Sequence, residues 1–152
     1  MCTCSTCKQM CRCPCWPSPE EANKLMKLGY GEFMMLDYRD MQDKSDHWYR
    51  VYVICPANDG FEGKDAPWMP SAEKKGCVFQ DRNGLCELHH VCKPIEGRWA
   101  DCKGNNHGHR DQVANMWDNA EGRTTVAAWK RKFYTPYQQQ REDPEYDRDD
   151  LV

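Results

Sequence analysis

The chain contains no long apolar run: nowhere does it offer the roughly 18 or more uninterrupted apolar residues that a membrane-spanning helix needs. Near Met1 there is also no apolar stretch of about 7 to 15 residues of the kind an export signal carries; cysteines, Lys8, Arg12 and prolines stand there instead. The expected setting is therefore cytoplasmic, where thiols stay reduced. Charge of one sign is not in excess, since the net charge is -3. In the segment 138–152, Arg141 and Arg148 face Glu142, Asp143, Glu145, Asp147, Asp149 and Asp150, so the remaining body is almost neutral. Such a distribution argues against a nucleic-acid footprint. The local basic run Lys130-Arg131-Lys132 reads as a solvated helix end.

Catalytic signatures are missing as well. There is no H-E-x-x-H, no H-x-E paired with P-C-x-x-C, no Gly-rich phosphate loop and no G-x-S-x-G elbow. Cys4, Cys7 and Cys11 give C-x-x-C-x-x-x-C, the reverse of the C-x-x-x-C-x-x-C order used in radical chemistry with S-adenosylmethionine. No residue is assigned a catalytic role, and enzyme status has no positive motif behind it.

What the chain has in abundance is cysteine: eleven in all, six of them in "CTCSTCKQMCRCPCW". An odd number excludes complete pairing within the chain, and a reducing compartment disfavours disulfides, so metal leads. Cys4-Ser5-Thr6-Cys7 is a C-x-x-C pair whose spacing lets two thiolates turn toward one ion. Cys11 and Cys15 follow closely enough to complete that site or to open another, and Cys2 and Cys13 are alternates. Further along stand Cys55, Cys77, Cys86 and, in Cys86-Glu87-Leu88-His89, a histidine at a ligand-like spacing. The candidate ligands are Cys4, Cys7, Cys11, Cys15, Cys55, Cys77, Cys86 and His89, enough for two four-coordinate centres. The plain alternative for Cys55 is a small buried hydrophobe at a strand end, and for His89 an ordinary hydrogen-bonding loop residue. His90, Cys92 and Cys102 are weaker candidates, and His107 and His109 in "GNNHGHR" read as part of a polar loop.

Local patterns supply a frame. Ser18, Pro19 and Glu21 form the start of a helix with a capping box, and Gly29 is its natural stop. "HWYRVYVIC" (47–55) is rich in aromatic and β-branched residues and reads as a strand, whereas 31–46 reads as a helical turn and a loop. Asn83-Gly84 between two short apolar runs predicts a hairpin from Cys77 to His89. "RDQVANMWDN" and "TTVAAWKRKF" carry apolar stripes suited to packing. The expected fold is a small α+β domain over residues 1–137, stapled by metal, with short strands or a hairpin, about three helices and much loop; 138–152 is an acidic tail.

The order of these motifs resembles the YkgJ-type cysteine-cluster proteins, described as zinc- or iron-chelating domains. The likeness is carried by the N-terminal cluster, the "PEEA" helix start and "GCVFQDRNGLCELHHVCKPIEGR", and spans Cys4 to about Cys102. It implies Cys4, Cys7, Cys11 or Cys15, Cys77 and Cys86 as metal ligands. The chain departs from the family pattern in lacking an adjacent Cys-Cys pair, in Leu88-His89 standing where the family has a tyrosine, and in "KPIEGR" replacing a cysteine-bearing ending. "PCWPSPEEA", "GLCELH" and "KPIEGR" look similar to short cysteine-cluster proteins of phages and prophages, which implies a bacterial host or phage-infected cell. The expectation is a small metal-binding protein, with zinc or an iron-sulfur cluster in a mainly structural centre, serving as an interaction or regulatory factor with a protein partner and without a membrane. The alternative is an iron-sulfur redox protein or an accessory of a cluster-dependent enzyme.

Overall fold

The computed structural model describes residues 2–67, 76–104 and 108–135. Its elements are α1 (Ser5–Cys11), α2 (Pro19–Lys27), a 3₁₀ turn (Gly31–Phe33), β1 (Met34–Gln42), β2 (Trp48–Pro56), α3 (Ile95–Trp99), α4 (His109–Trp117) and α5 (Ala120–Phe133). Among the described residues this is an α+β arrangement with one two-stranded sheet. The acidic tail and His107 lie outside the described residues.

The helix at Pro19–Lys27 starts as its sequence dictates. Ser18 Oγ accepts the Glu21 N–H at 3.2 Å, and Glu21 Oε1 accepts the Ser18 N–H at 2.9 Å. The same Oε1 accepts the Ile95 N–H at 3.0 Å, and Oε2 pairs with Arg98 at 3.1 Å. One cap residue thus also docks α3. At the other end Gly29 takes φ +93°, a left-handed conformation open to glycine without a Cβ penalty.

The stretch expected to be a turn and a loop is a turn followed by a strand. β1 runs antiparallel to β2 in the register Met34↔Pro56 to Gln42↔Trp48. Asp37, Arg39 and Asp40 had disguised it, because most of β1 beyond Leu36 is solvent-facing and tolerates charge. At the other end Met34, Met35 and Leu36 are buried in succession, as are Val53, Ile54 and Cys55. Successive strand residues point to opposite faces, so this end of the sheet is covered on both sides.

Among the described residues three buried tryptophans organise the core, and each has a partner for its indole N–H, as buried indoles require. Trp16 donates to Asp37 Oδ2 (3.0 Å), Trp117 to the Pro17 carbonyl (2.8 Å) and Trp129 to the Gly31 carbonyl (2.9 Å). The first two bonds tie the segment after the N-terminal cysteines to β1 and α4, and the third ties α5 to the 3₁₀ turn. The stripes on α4 and α5 are packing surfaces: Val113, Trp117, Val126 and Trp129 are all buried. Lys130, Arg131 and Lys132 occupy the last turn of α5, where cations complement the helix dipole. Among the described residues no helix is long and apolar enough to cross a membrane.

Candidate metal centre

All eleven cysteines are free thiols. The segment that carries six of the cysteines contains α1, and the helix itself positions sulfur. Cys4 is its N-cap: the Cys7 backbone N–H donates to Cys4 Sγ at 3.4 Å. Residues three apart lie on one helix face, so the two thiols of the C-x-x-C turn the same way. Cys2 precedes them. The fourth member, Cys102, comes from a distant turn in which the Lys103 N–H donates to Asp101 Oδ1 at 2.9 Å.

The sulfurs of Cys2, Cys4, Cys7 and Cys102 all lie within 4.8 Å of one another, and Cys2 and Cys102 are 4.0 Å apart. Around a tetrahedral zinc at a Zn–S distance of about 2.3 Å, sulfurs stand roughly 3.8 Å from each other. The donor set therefore fits a soft four-coordinate ion after a small contraction. Cys2 and Cys4 are exposed, while Cys7 and Cys102 are half-buried. Protons are shared unevenly in this outer group. The Cys7 backbone N–H, then the Cys2 thiol, hold Cys4 down to about 6, whereas its hydrogen bond with Cys2 pushes Cys7 up. Cys4 is the sulfur most ready to act as a thiolate ligand.

A second, inner group stands one helical turn away. Cys11 ends α1, Cys15 precedes the buried Trp16, and Cys77 and Cys86 come from the segment following residue 75. A hydrogen bond between Cys11 and Cys86 holds Cys86 at about 7 and pushes Cys11 up. Burial raises Cys15, and it raises Cys77 to about 12. A small cavity of about 20 Å³ is bordered by Cys11, Cys13, Cys15, Cys77 and Cys86. That is room for little more than one water-sized particle. Among the described residues only the outer group holds its sulfurs within 4.8 Å of one another.

Cys77 and Cys86 of the inner group are held by backbone bridges. Asn58 and Cys77 form an antiparallel bridge, as do Gln80 and Cys86. The hairpin expected from Asn83-Gly84 is thus a tight reversal held by single bridges, with Asp81 Oδ1 accepting the Asn83 and Leu85 N–H groups and Gly84 at φ +82°. Arg110 locks the Cys13–Trp16 stretch from behind. It donates to the Pro14 carbonyl (3.0 Å) and to Glu96 Oε2 (3.1 Å), and its guanidinium lies 4.5 Å from the Trp16 ring centre. Gly97 allows α3 to press on Cys15, whose sulfur would lie 2.9 Å from a Cβ at that position.

An open cavity of about 330 Å³ is bordered by Cys2 and Cys7 of the outer group and by Cys11, Cys15 and Cys86 of the inner one. His89 borders it too, with Nδ1 3.4 Å from Lys93 Nζ; partial burial and then that ammonium favour its neutral form. Lys8, Lys93 and Arg98 reach the same cavity. A divalent ion on four thiolates carries a net charge of -2, so cations in this place offset what the thiolates introduce.

Of the sequence candidates, the structure brings Cys4 and Cys7 together in the outer group and Cys11, Cys15, Cys77 and Cys86 around the inner cavity. His89 stands beside the open cavity. Cys55 is wholly buried in the hydrophobic core, paired across the sheet with Met35, and burial drives its thiol far up. Cys2, an alternate by sequence, and Cys102, a weaker candidate, complete the outer group. Cys2 is only one residue from Cys4, and nothing local to Cys102 announces a ligand beyond the Asp101–Gly104 turn that carries it. His109 opens α4, with its ring centre 5.6 Å from that of Trp99. No protein-family model matches the chain, and no curated protein or solved structure does so either.

Proposed function

We propose that this is a small metal-binding protein whose thiolate centres fasten the N-terminal segment to the body of the domain. The observation that carries the reading is the convergence of four sulfurs, from Cys2, Cys4, Cys7 and Cys102, to within 4.8 Å of one another. Three come from one short segment and the fourth from a turn nearly a hundred residues later. Four bare thiols in contact are poorly matched to each other when all are ionised, and a divalent ion resolves that repulsion.

In this reading the inner set, Cys11, Cys15, Cys77 and Cys86, takes a second ion, with Cys13 bordering the same small cavity and His89 the adjoining open one. Two segments are clamped at two levels: Cys2–Cys7 to Cys102, and Cys11–Cys15 to the Cys77–Cys86 reversal. Closed four-thiolate sites contribute to folding rather than to catalysis. The role proposed is therefore an interaction or regulatory factor acting through a protein partner in a bacterial or phage-infected cytoplasm. The motifs quoted above support kinship with YkgJ-type proteins. Zinc and an iron-sulfur cluster both accept such a donor set, and the cluster form would make this a redox protein or an accessory of a cluster-dependent enzyme.

Elemental analysis and an ultraviolet-visible spectrum of protein purified anaerobically without added metal test the proposal. Zinc with no visible absorption supports the structural reading. Iron with matching sulfide and a broad blue-region band supports the redox one. Protein that is folded and free of zinc, iron and sulfide overturns both.

A further inference from the structure

We infer that the outer thiol group is an exchange site, from which a thiophilic divalent ion passes to and from an external thiolate or chelating acceptor, while the inner group retains its ion. This inference rests on the two-centre reading just proposed.

The argument is one of mounting and access. Cys2 and Cys4 are exposed, so an acceptor can reach the sulfurs without any part of the fold opening. The element that carries Cys4 and Cys7 is weakly held. α1 has seven residues, none of them buried. Helices this short are not stable alone in water. Its tie to the body includes the Gln80 Nε2 hydrogen bond to the Lys8 carbonyl at 2.7 Å. Cys102 sits in a turn outside any helix or strand. Three of the inner sulfurs are mounted differently, while the fourth, Cys11, is the last residue of α1. Cys77 and Cys86 sit at backbone bridges, Cys15 is wedged against α3 at Gly97 and adjoins the buried Trp16, and their cavity is small. Local opening is easiest where few buried contacts must break, so the two groups should release an ion at different rates.

The exchange is a substitution without redox change. The sulfur lone pair of an incoming thiolate forms a bond to the ion as the bond from one outer cysteine breaks. That cysteine keeps the electron pair and takes a proton from solvent. Repetition around the four sulfurs completes the transfer. Lys8, bordering the open cavity, favours approach of an anionic acceptor.

The test uses the full chain loaded with zinc, mixed with excess 4-(2-pyridylazo)resorcinol, release being followed by absorbance. The expected trace has two phases of similar amplitude, the first roughly tenfold or more faster than the second. Cys102→Ser and Cys2→Ser should each remove the fast phase, keep the slow one and melt within about 2 °C of the parent. Release of both ions at one rate overturns the inference, and so does a Cys102→Ser chain that no longer folds. A chain that takes up no zinc at all overturns the two-centre reading itself, whereas single-rate release of two ions leaves that reading standing.

Discussion

Cys4 owes its character first to a backbone group and then to the neighbouring thiols, Cys2 foremost. The Cys7 N–H points at its sulfur, the geometry in which Ser or Asp usually caps a helix, and a thiolate accepts that bond better than a thiol. In metal-free protein, carbamidomethylation of Cys4 by iodoacetamide should reach half its plateau rate near pH 6, because its thiol is held down to about 6 from an ordinary 9.0. Peptide mapping across pH 5 to 9 measures this; a rate still climbing steeply above pH 8, as for an ordinary thiol, contradicts it. Zinc loading should protect the same site. Gly97 poses the opposite kind of residue question, one of space. A methyl there would meet Cys15 Sγ at 2.9 Å, whereas the neighbouring Lys93 Cε, at 3.1 Å, belongs to a flexible side chain that can move away. Gly97→Ala should cost about 1 to 3 kcal/mol by overpacking and lower the slowly released metal fraction. Unchanged melting and metal content would show that Cys15 has room to retreat.

At the scale of elements, α2 is where sequence and structure agree most closely. Its cap, its Pro at the first position and its glycine stop act within a few residues of chain and need no tertiary partner to be legible. Ser18→Ala should destabilise the protein by about 1 kcal/mol, a fall of roughly 2 to 4 °C in Tm for a chain of this size, with metal content unchanged. A larger loss accompanied by metal release would mean that the Glu21 link to Ile95 and Arg98 depends on the cap. β1 and α1 were not legible in the same way. The outer half of β1 carries charges that its exposed surface permits, and only pairing with β2 makes it a strand. α1 is built from cysteines, polar residues and one methionine, without an apolar stripe; Cys4 capping and the Gln80 hydrogen bond to the Lys8 carbonyl help hold it in place.

The whole molecule divides into a hydrophobic body and a thiol-bearing flank. Trp16, Trp117 and Trp129 each close an indole hydrogen bond inside the body, and none of those bonds involves a sulfur. Removing all metal anaerobically with a chelator should therefore free the N-terminal segment before it melts the core. Trypsin should cut after Lys8 and Arg12 in the stripped protein and spare both sites in the loaded one, while the tryptophan emission maximum shifts little. Cleavage at equal rates in the two forms would show that metal does not hold this flank.

By itself the sequence determined the chemistry available: the abundance of cysteine, the C-x-x-C pair, the capped helix, the strand at 47–55 and the apolar stripes of α4 and α5. Each of these is a local property, set by dihedral preference, capping and periodicity over a few residues. Which cysteine joins which group was decided only by tertiary structure. Cys2 and Cys102 are separated by 100 residues and meet at 4.0 Å because Glu96 of α3 binds the Trp16 N–H and Arg110 of α4, Glu21 of α2 holds the start of α3, and the turn that follows α3 is brought alongside α1. Spacing along the chain carries no information about such a meeting, since it is the burial of the core between the two cysteines, and not either cysteine's neighbours, that offsets the entropy of closing so long a loop.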